Sequence, residues 1–260
     1  MTDPPATVDT DARSGSSRNV EVFSSASDAP RVRWPTDLAG AAIGALALAV
    51  LIAVAGSGVQ LDDDALEFIG ALPGWFRWLS QAFYAVAVLY SIALLVGVGV
   101  ASGRLELLRD MLLAGAVAVV SAVVLSLSVD GRWPEIAVID LQRTRTTFPM
   151  FAITAMVAVQ AAAAPHLTRP VRRLGWAAII AGPIASILGG VTTISDALGG
   201  VLLGLLVASL VRYVFGTAAG LPTTGRVTRG LADLGVEVTD LAYDAPRSGS
   251  ALTLVGSVDG

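Results

Sequence analysis

The most suggestive spacing of polar side chains lies in one short apolar stretch. Between positions 185 and 196, Ser186, Thr192, Thr193, Ser195 and Asp196 interrupt a run of Ala, Ile, Leu, Gly and Val. Thr192 and Asp196 are four residues apart, a spacing that puts both on one face if a helix begins early enough. A threonine hydroxyl is a poor nucleophile without a base, and Asp196 is the obvious candidate for that base. The plainer role for Asp196 is a helix cap, because Ser195 and Asp196 open an apolar run and can accept hydrogen bonds from free backbone N–H groups. Arg143 and Arg145, just before Pro149, can hold an anionic headgroup or can simply snorkel at a membrane interface. Arg169, Arg172 and Arg173 either anchor topology through anionic lipid or form a specific headgroup site. His166 is the single histidine; it makes a headgroup or pH-sensitive contact, or it is an ordinary loop residue. Asp62, Asp63 and Asp64 suggest a metal site at first sight, but adjacent acids opening a short amphipathic helix are read as a solvated cap. No metal or cofactor is expected.

The elements that position these residues belong in a bilayer. The chain has 260 residues, 54% of them hydrophobic and 15% charged, and its mean hydropathy is +0.71, far too apolar for a soluble domain of this size. There is no cysteine, which excludes disulfides, thiolate metal sites and a cysteine nucleophile. The net charge of -4 leaves no strongly basic surface, so nucleic acid is not an expected partner. Residues 1–35 are polar, rich in Ser, Asp, Pro and Thr, and lack the early apolar run of a secretory signal; they are expected to be a disordered cytoplasmic segment.

A hydrocarbon layer about 30 Å thick takes roughly 20 apolar helical residues to cross. Six runs approach that length, at 38–55, 81–101, 111–129, 149–164, 176–191 and 194–215. The fourth and fifth are short, yet all six are expected to span, giving an all-α integral membrane domain over 36–216. With the N-terminus inside, thirteen arginines fall in cytoplasmic segments and four, Arg77, Arg132, Arg143 and Arg145, fall outside. That asymmetry predicts a multi-pass plasma-membrane protein with both termini in the cytoplasm. Leu66, Ile69 and Leu72 share one side of a short helix between the first two spans, ended by Pro73-Gly74. Gly40 with Gly44, and Gly200 with Gly204, form small-xxx-small pairs expected to pack helices within the chain.

After the last span the character changes. Residues 217–226 read as a linker, 227–234 as a short helix, and 236–241 and 251–258 as strands, the start of a small cytoplasmic α+β region at 227–260. Asp259-Gly260 after the second strand is a hairpin-turn signal, so the strand that pairs with it is expected beyond Gly260, in a longer protein.

The segment from Ala185 to Asp196 resembles the third signature of the type 2 phosphatidic acid phosphatase family, which reads Ser-Arg, five residues, His, three residues, Asp. The spacing and Asp196 are retained, but Ala185 and Ser186 stand in place of Ser-Arg and Thr192 in place of the nucleophilic His. Phe148-Pro149-Met150-Phe151-Ala152 resembles that family's Phe-Pro-Ser-Gly-His, keeping only the Phe-Pro and losing the general acid. Arg132-Trp133-Pro134 lies near the place of its first signature, with Ser126 where the family has Lys. The resemblance covers 38–215 and implies a six-helix bundle of the phosphatase fold whose catalytic positions survive only as the remnants Pro149, Thr192 and Asp196.

What it implies for function is a non-catalytic phosphatase-like membrane module that binds lipid, or scaffolds or assembles a larger protein. The turn at 165–175, the run Ser195 to Gly200 and the segment Gly235 to Val238 also resemble the N-terminal part of large actinobacterial membrane proteins. There such a domain precedes kinase-like and lysylphosphatidylglycerol synthase-like regions, which would be this domain's partners alongside membrane lipids. Two other readings stay open: a lipid phosphatase with a non-standard site at Thr192, Asp196, Arg143 and Arg145, and lipid transport or flipping.

Overall fold

A computed structural model describes residues 31, 33–56, 61–101, 105–131, 133, 147–217, 224–236, 238–243 and 254–258. Of the expected disordered segment, residues 1–30 and 32 lie outside the described residues, as do Arg132, Pro134, Arg143 and Arg145; its last part is ordered, with Arg31 in ion pairs and Pro35 opening the first helix. Among the described residues, five helices are long and apolar enough to cross a membrane: α1 (Pro35–Gly56), α3 (Gly74–Ala101), α4 (Leu105–Val129), α6 (Arg169–Leu188) and α7 (Ile194–Phe215). A short helix α2 (Leu61–Gly70) lies between α1 and α3, as its amphipathic pattern predicts.

The fourth expected span is different. It is helix α5 (Phe151–Ala163), 13 residues followed by one 3-10 turn at Ala164–His166, so its α-helical part is about 20 Å long. Ten of its residues are buried, packed against α3, α4, α6 and α7. A helix enclosed by longer neighbours meets protein rather than lipid over most of its surface, which relaxes the length that a lipid-facing span needs.

Two helix starts move furthest. α3 starts seven residues earlier than its apolar core, at Gly74, because Phe76 and Arg77 already donate backbone bonds to the Pro73 carbonyl. α6 runs from Arg169, not 176, and stops at Leu188. Pro170 sits in its first turn, where a missing N–H costs nothing. Arg169, Arg172 and Arg173 are therefore helical residues and not a connecting loop.

Glycine sets how closely the helices approach. A Cβ on Gly40 or Gly44 would lie 3.3 Å from Ser209 Oγ or Leu206 Cβ, so this pair seats α1 on α7. A Cβ on Gly204 would lie 2.8 Å from both the Thr154 carbonyl oxygen and Val157 Cβ, so the second pair seats α7 on α5. Both expected glycine pairs thus pack helices within the chain, consistent with the small-residue rule for membranes.

Successive helices run back and forth, so the bundle has two ends. The proximal end gathers the starts of α1, α4 and α6 with the ends of α5 and α7. Here Arg212 of α7 donates to Asp37 of α1 at 3.0 Å, to the Ala161 carbonyl at 2.7 Å and to Ser209 Oγ at 3.2 Å. Arg31 pairs with Glu106 at 2.9 Å and Asp110 at 3.1 Å. Burial alone would lower the Arg31 pKa, but the hydrogen bonds and charges of those two carboxylates outweigh it and hold the guanidinium above its ordinary value. The distal end gathers α2, the ends of α4 and α6 and the starts of α5 and α7.

The C-terminal part has helix α8 (Thr224–Ala232) packed on an antiparallel pair, β1 (Val238–Tyr243) and β2 (Leu254–Val258). The helix starts three residues before the expected 227. Val238 pairs with Val258 and Tyr243 with Leu254, with an irregularity between Thr239 and Ala242. The two expected strands therefore pair with each other. A Cβ on Gly256 would lie 2.6 Å from Val238 Cγ1, so a side-chain-free residue lets the strands close at the irregularity.

Candidate functional site at the distal end

The resemblance placed three sequence segments around one site, and two of them meet. The Met150 N–H donates to the Asp196 carbonyl at 3.1 Å. The Phe148 ring lies over Gly199, where a Cβ would come within 2.5 Å of the ring. The Phe148 N–H in turn donates to Asp130 Oδ2 at 2.8 Å, which ties the end of α4 to the same corner. Of the first segment, Trp133 is described and is highly exposed.

The side chains at this corner are mostly neutral. Pro149 is fully buried. Ser186 is buried in α6 and donates to the Pro183 carbonyl at 2.7 Å, back-bonding within its own helix. Thr192 is 3% exposed and its hydroxyl has no hydrogen-bond partner. It belongs to the turn between α6 and α7, because α7 begins only at Ile194. The shared helical face expected for Thr192 and Asp196 is therefore absent.

The cap of α7 also differs from expectation. Thr193 is the N-cap, and its Oγ1 accepts the Asp196 N–H at 3.2 Å. Asp196 sits in the first turn, buried, where a negative charge complements the helix dipole. Ser195 contributes through its own donors. Its N–H donates to Asp62 Oδ1 at 3.2 Å, the Ile194 N–H donates to the same oxygen at 3.0 Å, and the Ser195 hydroxyl donates to Asp62 Oδ2.

Asp62 thus serves α7, not only its own helix, and this is the residue that sequence reasoning missed. The two partners are 132 positions apart, and no local pattern connects them. The available signal was generic: the start of an apolar helix leaves several N–H groups needing an acceptor, and an acidic cluster was expected on the same side of the membrane.

His166 is remote from this corner. It closes the 3-10 turn after α5, and its Nε2 lies 3.4 Å from Thr217 Oγ1, just past the end of α7. Asp196 is in the opposite end of α7, a helix about 33 Å long at 1.5 Å per residue. No imidazole reaches the distal corner. Among the described residues no group of three His, Cys, Asp or Glu is placed to hold a metal.

Arg169 and Arg173 are exposed and Arg172 is half-buried, all in the first two turns of α6 at the proximal end. None of the three forms an ion pair with a described residue, and the first turn of α6 carries no acid. Comparison with known protein families, curated proteins and solved structures found no match to this chain.

Proposed function

We propose that the domain is a multi-pass membrane module of the phosphatase-like type without catalysis, which binds anionic lipid and serves as a platform for other parts of a larger membrane protein. In this reading α5 joins the five long helices as a sixth, enclosed span, and both termini face the cytoplasm. The observation that carries it is the distal corner. The places that the resemblance assigns to nucleophile, general acid and phosphate-holding arginine are filled by buried Thr192, Ala152 and Ser186. A buried, neutral set of this kind offers no activated nucleophile and no proton donor for a leaving group.

Lipid binding rests on Arg169, Arg172 and Arg173. Three positive charges at a helix N-terminus oppose the dipole, and within the described residues nothing offsets them. Anionic headgroups at the cytoplasmic surface supply the missing charge. The test is purification of the full chain in mild detergent with mass spectrometry of retained lipids. Anionic phospholipid should be retained, and the Arg169→Gln, Arg172→Gln, Arg173→Gln triple variant should lose most of it. Equal retention by the variant would refute the lipid-binding part of the proposal.

A further inference from the structure

We infer that α2 is a latch over the distal end, closed by Asp62 on the start of α7 and able to open while the bundle stays folded. This goes beyond the lipid-binding reading and does not depend on it.

The described contacts that hold α2 are specific. Three donors, the N–H groups of Ile194 and Ser195 and the Ser195 hydroxyl, converge on the one Asp62 carboxylate. Charge-assisted bonds to a helix start are among the stronger polar contacts. Ile69 is the second holding point; it is buried, and its Cγ2 would lie 3.8 Å from a Cβ on Gly190. That glycine has φ +69°, a conformation that favours a residue without a side chain, and it turns the chain between α6 and α7. Among the α2 residues whose burial is described, Glu67 and Phe68 are exposed, Phe68 at 65%, and none belongs to the three buried apolar clusters of the bundle.

α7 does not rely on α2 for its own start. Thr193 Oγ1 already accepts the Asp196 N–H, and the helix continues against α1, α4 and α5 along its length. Releasing Asp62 therefore removes one acceptor from α7 while leaving its cap and packing in place. α2 has no such reserve. It is 10 residues long, and a detached helix shorter than about 12–15 residues is marginal in water. Opening the latch therefore unwinds α2, and its backbone amides exchange with solvent when it does.

Hydrogen exchange read by mass spectrometry on the full chain tests this, with peptides covering α2, the start of α7 and α5. In the native chain α2 should exchange far faster than α5 and α7, and Asp62→Ala should speed α2 by about tenfold with α5 and the body of α7 unchanged. A second variant fixes the latch: Asp62→Cys with Ser195→Cys, in a chain with no other cysteine. Oxidation should join the pair and slow exchange of α2 below the native rate, with reduction reversing it. The inference is overturned if native α2 exchanges as slowly as α5. It is also overturned if Asp62→Ala speeds α5 and α7 along with α2, which would make Asp62 a structural cap of the whole bundle, or if the oxidised pair leaves exchange of α2 unchanged.

Discussion

The two ends of the bundle are fastened by different chemistry. At the proximal end a full ion pair, Arg212 with Asp37, joins α7 to α1, and the same guanidinium reaches the Ala161 carbonyl of α5. Arg31 ties the approach to α1 onto Glu106 and Asp110 of α4, and Arg109 lies over the Phe215 ring at 5.8 Å. At the distal end the described fastenings are mostly helix caps and backbone bonds: Thr193 and Asp62 on α7, Asp130 on Phe148, Gln81 on the Gly189 carbonyl at 3.0 Å. The contrast separates a structural clamp from the corner that the proposed reading treats as a remnant site. The proximal end pairs opposite charges across helices, whereas the distal carboxylates Asp62 and Asp130 accept from backbone N–H groups and a hydroxyl, and Ala152, Ser186 and Thr192 beside them are neutral.

The largest effect should come from breaking the proximal clamp. Arg212→Ala leaves Asp37 half-buried without its partner and frees the Ala161 carbonyl, and should cost about 3–5 kcal/mol, read as a lowered midpoint of thermal unfolding in detergent. Removing both charges in Asp37→Asn with Arg212→Gln should recover part of the loss. If Arg212→Ala melts like the native chain, the clamp is decorative and the contrast between the ends fails.

A smaller loss should follow from Gly204→Ala. The new methyl meets the Thr154 carbonyl and Val157 at 2.8 Å, forcing α5 and α7 apart at a cost of about 1–3 kcal/mol by the same melting measurement. Gly44→Ala is the sharpening control: its methyl meets Leu206 Cβ at 3.3 Å, so only a side chain and its helix must give by a few tenths of an ångström, and its effect should be the lesser of the two. At the distal end, Thr193→Ala should cost about 1 kcal/mol, while Thr193→Ser keeps the acceptor and should be close to neutral. A Thr193→Ala loss as large as that of Arg212→Ala would erase the distinction between the ends.

Much of this architecture is legible in the sequence because a bilayer imposes lengths and periodicities that a linear reading can see. The run at 194–215 is α7 to the residue, and both glycine pairs lie where helices touch. The reading falters where partners are distant or where protein replaces lipid as the surroundings. α5 reads as a marginal span because hydropathy does not reveal that it is enclosed. Arg212 is one of the thirteen arginines that the charge asymmetry places in the cytoplasm, and its pairing with Asp37 of α1, 175 positions away, has no local signal beyond an ionisable residue within an apolar run. The proposed remnant site reads in the sequence as a set of missing groups. The cap of α7 is Thr193, two residues before the expected Ser195, because the two are equally good capping residues by type.

The most direct test of the central claim is phosphate release by the purified full chain from phosphatidate and from a polyprenyl diphosphate, compared with a mock preparation. The account predicts release no higher than the mock for the native chain and for Asp196→Ala alike. Release above the mock that Asp196→Ala abolishes would contradict it and establish a phosphatase with a non-standard site.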